Sequence, residues 1–60
     1  MNLEQAFDII KSKLGTDQRC AKFLLITEGY FNAMRNGRVK VTKKNEAWII
    51  SKAEQLDKSE

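Results

Sequence analysis

The chain has 60 residues, with no histidine, no proline and a single cysteine. One Cys without any His leaves too few ligands for a structural zinc site and no partner for an internal disulfide. The same shortages remove the usual nucleophile–base pairs. No inward carboxylate pair or phosphate-cradling glycine loop takes their place, so an enzyme is not expected. No apolar run exceeds four residues (Phe23–Ile26 and Ala47–Ile50), which excludes a transmembrane helix and a signal-peptide core. Together these absences point to a cytoplasmic protein with no cofactor, no metal and no small-molecule substrate.

Glycine is sparse as well, at positions 15, 29 and 37 only. With proline absent, most of the chain is free to be helical, and the glycines mark candidate helix ends. The composition, 42% hydrophobic and 32% charged, is that of a globular domain rather than a disordered tail. Residues 1–60 make one domain, and a domain of this size buries only about 60% of its unfolded surface, so its stability is marginal without a partner. The net charge of +3 is modest, but its distribution is uneven: between Gly29 and Asn45 lie Arg35, Arg38, Lys40, Lys43 and Lys44, and no acid. Such a run is either a solvated face or a rim for phosphates.

Spacing and caps predict four helices and an all-α fold. Asn2 followed by Gln5 forms a capping box, and Leu3, Ala6, Phe7, Ile10 and Leu14 then recur at helical intervals over about 3–14, before Gly15. Thr16 caps a second helix over 17–24 with Cys20, Ala21 and Leu24 inward; Cys20 reads as a small buried hydrophobe. Leu25 and Ile26 turn the chain, and Thr27 caps a third helix over about 28–36. Its Phe31 and Met34 point inward, while Glu28, Gly29, Asn32, Ala33 and Asn36 take the outer arc. Asn36-Gly37 ends it, and Arg38–Val41 connects, with Val39 or Val41 tucked inward. Thr42 caps a fourth helix over 43–57, whose inner stripe is Ile49, Ala53 and Leu56, with Ile50 on the shoulder and Trp48 roughly opposite. Residues 58–60 are expected to fray.

Within this frame, residues 17 to 36, DQRCAKFLLITEGYFNAMRN, read without a gap as a helix-turn-helix. Cys20, Ala21, Leu24, Ile26, Phe31 and Met34 fall at its fourth, fifth, eighth, tenth, fifteenth and eighteenth positions. That spacing packs one short helix across another and leaves the outer face of the second free. In such units the free face enters the DNA major groove.

Residues 16 to 56 resemble the lambda-repressor-like, or phage Cro/CI-type, DNA-binding domains. The likeness is carried by Ala21, Ile26-Thr27, Phe31, Met34, the Asn36-Gly37-Arg38 ending, and Thr42 opening a helix with Ala47, Ile50 and Ala53. Two positions depart from the pattern. The turn often holds Gly where this chain has Leu25, and the first position is frequently a phosphate-binding Gln where this chain has Asp17. Five helices are usual in the family; this chain has room for a compact four, with a fifth as the alternative.

The resemblance implies a small sequence-specific repressor of the phage or mobile-element kind, binding an inverted-repeat operator through its third helix. Thr27, Glu28, Gly29, Asn32 and Ala33 would then face the bases. Asn32 suits adenine, Glu28 suits cytosine N4, and Ala33 suits a thymine methyl. Phosphate contacts would fall to Gln18, Arg19, Lys22, Tyr30, Arg35, Asn36, Arg38, Lys40, Lys43 and Lys44. Tyr30 reads equally as a half-buried aromatic, and Lys22 as part of a solvated face. The partners implied are double-stranded DNA and a second copy, paired through Trp48, Ile49 and Lys52, or else a monomer that pairs only on DNA. The acids Asp17 and Glu28 keep open a protein-interaction module on the same scaffold: an antirepressor, a phage inhibitor of a host protein, or an antitoxin.

Overall fold

Each helix among the described residues starts at a side chain that accepts a hydrogen bond from one of its free N–H groups. The computed structural model describes residues 1–58 and contains α1 (Leu3–Leu14), α2 (Asp17–Leu24), α3 (Glu28–Arg35) and α4 (Lys43–Lys58). Asn2 and Gln5 form the expected reciprocal box at α1, with bonds of 2.8 and 3.0 Å. Thr16, Thr27 and Thr42 each accept from the backbone N–H three residues on, at 3.2, 3.1 and 3.2 Å. Each such cap contributes about 1 kcal/mol. Among the described residues there is no strand and no fifth helix, so the fold is all-α with four helices.

Two boundaries differ slightly from expectation. Asn36 caps α3 rather than extending it, and α4 runs on through Lys58. Ser59 and Glu60, expected to fray with it, lie outside the described residues.

The ends of α2 and α3 are built alike. After α2, Ile26 N–H bonds Ala21 O at 3.0 Å and Leu25 N–H bonds Lys22 O at 3.2 Å. After α3, Arg38 N–H bonds Ala33 O at 2.9 Å and Gly37 N–H bonds Met34 O at 3.3 Å. Both are Schellman endings, which need one residue with positive φ. That residue is Gly37 (φ 75°) after α3 but Leu25 (φ 61°) after α2. The departure from glycine is thus accommodated by a leucine in the left-handed region, at a cost of order 1 kcal/mol.

α1 packs chiefly on α4 and α2 on α3, with α1 also touching α2. The core is wholly apolar: Ala6, Phe7, Ile10, Cys20, Ala21, Leu24, Phe31, Met34, Ile49 and Ala53 are buried, with no buried polar side chain among the described residues. Leu3, Leu14, Val41, Ile50 and Leu56 pack partly covered against it, while Val39 stays exposed. Phe31 meets Phe7 edge to face, ring centroids 5.7 Å apart and planes at 84°, which joins α3 to α1. Full burial of such a ring contributes about 1.5–3 kcal/mol. The Cys20 Sγ lies 3.7 Å from Ile10 O, and burial pushes its thiol above the ordinary range. No helix among the described residues is long and apolar enough to cross a membrane.

Candidate nucleic-acid interface

α3 is held from beneath by Phe31 and Met34, both buried, and this leaves its other side outward. Thr27, Glu28, Gly29 and Asn36 are exposed, and Ala33 is half-buried. The Thr27 hydroxyl accepts the capping bond from Tyr30 N–H, so its own O–H remains free to donate. Glu28 presents a carboxylate with no ion pair among the described residues. A helix with its side chains is about 10–12 Å across, which fits the roughly 12 Å width of the major groove.

Asn32 is less outward than its position on the arc predicts. It is half-buried, its Nδ2 donates to Glu28 O at 3.2 Å, and its amide also leans on the Asp17 carboxylate. Its Oδ1 has no partner among the described residues and offers an acceptor to an exposed base amine.

Gly29 is required neither by its backbone nor by its neighbours. A Cβ built there would meet nothing within 4 Å, and its φ is not positive. The free fold does not require glycine at this place, although glycine weakens a helix by up to about 1 kcal/mol relative to alanine.

The expected phosphate residues fall into three groups. Gln18, Arg19 and Lys22 are exposed on α2, and Arg38, Lys40, Lys43 and Lys44 are exposed on the α3–α4 connection and the first turn of α4. None of these cations is in an ion pair among the described residues. Tyr30 belongs to a second group: 37% exposed, it lines a recess of about 80 Å³ with Leu24, Ile26, Met34, Asn45, Trp48 and Ile49. It is therefore an aromatic leaning toward α4. Arg35 stands alone, because its guanidinium is bound 3.1 Å from Asp17 Oδ1 and lies over the Phe31 ring.

The surface expected to pair two copies needs one correction. Ile49 is 2% exposed in the core and cannot reach a partner while the domain is folded. Trp48 lies at the side of the inner stripe rather than opposite it, at the edge of the recess beside Tyr30. Lys52 Nζ sits 4.8 Å from the Trp48 ring and 5.4 Å from the Phe23 ring, a cation between two aromatics that ties α4 to α2.

Sequence reasoning missed the cluster around Asp17. Lys11 Nζ bonds Asp17 Oδ1 at 2.5 Å and Arg35 joins from the other side. The Lys11 ammonium, with help from Arg35, holds the Asp17 carboxyl below its ordinary value, and partial burial opposes the shift. These residues lie six and eighteen positions from Asp17 in sequence, outside the i, i+3 and i, i+4 spacings that announce pairs along a helix. Only the packing of three helices brings them together.

No family model, no curated protein and no solved structure matches this chain.

Proposed function

We propose that this chain is a sequence-specific DNA-binding regulator, a small repressor that acts in the bacterial cytoplasm on the nucleoid. The observation that carries the reading is Gly29 on α3, a glycine the free fold does not need, on the face turned away from the core. A missing side chain there lets the start of α3 approach a surface closely, and the helix N–H groups favour a polyanion. Thr27, Glu28, Asn32 and Ala33 surround it as the base-facing set. Arg38, Lys40, Lys43 and Lys44, which have no ion pair among the described residues, follow as the phosphate rim, with Arg19, Lys22, Gln18 and Asn36 beside it. Binding, not catalysis, is the activity.

One copy spans 31 Å in its longest direction. Successive major-groove faces on one side of DNA lie about 34 Å apart, so a single copy carries one α3 to one half-site. Two copies on an inverted repeat is the arrangement this favours, with Trp48 and Lys52 as the α4 residues available for pairing.

Selection of preferred sequences from random duplexes tests the proposal directly. A palindrome with half-sites about one helical turn apart is expected; recovery of no enriched sequence would sink it. Leu25, an apolar side chain 80% exposed, favours a second reading, an interaction module that docks a protein on an apolar contact. The two part on salt. Binding through the basic rim weakens steeply as salt rises, and Arg38→Ala should flatten the slope by about one unit on all sequences.

A further inference from the structure

Asp17 occupies the first position of α2, where free N–H groups and the helix dipole attract an anion. Its carboxylate fills that place itself and gathers cations from two other helices. Lys11 of α1 and Arg35 of α3 meet the same oxygen at 2.5 and 3.1 Å, and the three side chains are 25% (Asp17), 36% (Lys11) and 33% (Arg35) exposed. The Arg35 guanidinium is further seated 5.6 Å from the Phe31 ring centroid. Arg38, Lys40, Lys43 and Lys44, by contrast, have no ion pair among the described residues. A cation already matched by a fixed carboxylate gains little from a DNA phosphate, which must displace that carboxylate and also meets its repulsion.

We infer that Asp17 is a specificity-determining residue of the DNA-binding reading above, on which this inference rests: it withholds Lys11 and Arg35 from the phosphate backbone and so keeps affinity for arbitrary sequence low. Non-specific affinity is supplied almost wholly by phosphate contacts, each contributing about 0.9 to the salt slope. Two cations withheld lower that background. A domain with only a handful of base-facing residues gains discrimination this way more readily than by adding readers.

The test uses the full chain as wild type, Asp17→Asn and Arg35→Gln, each titrated with a random-sequence duplex between 50 and 200 mM salt. The asparagine keeps the shape and a hydrogen-bonding oxygen at the α2 N-terminus while releasing both cations. Asp17→Asn should bind roughly three- to tenfold tighter at 50 mM and steepen the salt slope by about one to two units. Arg35→Gln, with Asp17 intact, should leave affinity and slope unchanged. Unchanged binding by Asp17→Asn where wild type binds would overturn the inference and leave the DNA reading standing. A slope flattened by about one unit in Arg35→Gln would do the same, by making Arg35 a phosphate contact. If neither wild type nor Asp17→Asn binds duplex, both readings fall; if only Asp17→Asn binds, the withholding is supported. Should Asp17→Asn melt below the assay temperature, Asp17→Ser, which keeps an oxygen at the α2 N-terminus without the charge, takes its place with the same expected and overturning results.

Discussion

The underside and the outside of the helix-turn-helix obey different rules. Beneath, each residue suits its place: Cys20, Ala21, Leu24, Phe31 and Met34 are apolar, buried and spaced to meet the core. Outside, two residues oppose their local backbone. Leu25 holds a left-handed conformation that glycine adopts freely, and it does so 80% exposed. Four positions later Gly29 sits in a helix with open space where a side chain fits. Folding alone accounts for the first face and for neither oddity on the second. Local rules are most often broken where something other than stability sets the residue.

Substitutions can break this contrast or sharpen it. Phe31→Ala should have the largest effect, a loss of about 3–5 kcal/mol of stability. Because a domain this small has little more to lose, urea titration followed by circular dichroism should find it largely unfolded; a near-native midpoint would mean the underside is not the anchor. Asn32→Ala should leave the melting temperature nearly alone while costing about 1–3 kcal/mol on the preferred DNA site and little on random duplex. Equal losses on both would remove Asn32 from the base-facing set.

Gly29→Ala should move stability and binding in opposite directions. Removing glycine from a helix raises stability by about 0.5–1 kcal/mol, whereas the added methyl should weaken specific DNA binding by about 1 kcal/mol or more. A variant both firmer and equally tight would strip Gly29 of its role. The smallest change is expected from Leu25→Gly, where relief of the left-handed strain outweighs the flexibility gained by the unfolded chain and raises stability by about 0.5 kcal/mol. Gly37→Ala, at the matching place after α3, should lower it by about 1 kcal/mol, since a Cβ there meets no neighbour and only the backbone objects. Thermal melts of the pair measure both. The same sign for the two would show that their shared geometry does not govern them.

Much of this fold was legible because it is local. Asn2, Thr16, Thr27 and Thr42 announce helix starts within three residues, and Gly15 and Gly37 announce ends, so the element bounds follow from short windows of sequence. Burial of Phe31, Met34 and Ala53 follows from periodicity in the same way. The candidate site was legible only in part. The outer arc of α3 and the basic segment after it can be read from spacing and charge, but the capture of Arg35 by Asp17 and the seat of Lys52 between Phe23 and Trp48 depend on how separate helices meet. Ile49 shows the same limit from the other direction: no periodic signal tells a core stripe from a pairing face on one helix, and only the packing of the helices together decides it.

The seating of Trp48 has a practical consequence. It is the chain's one indole, 39% exposed, with an ammonium poised above its ring and a second helix one side chain away. Its fluorescence is therefore a built-in gauge of whether α4 keeps the side-chain docking that Trp48 and Lys52 make beside α2 and α3. Loss of that docking takes the lysine from the ring and admits water, shifting emission to the red, so a native light signal can follow unfolding and ligand-induced rearrangement without any attached dye.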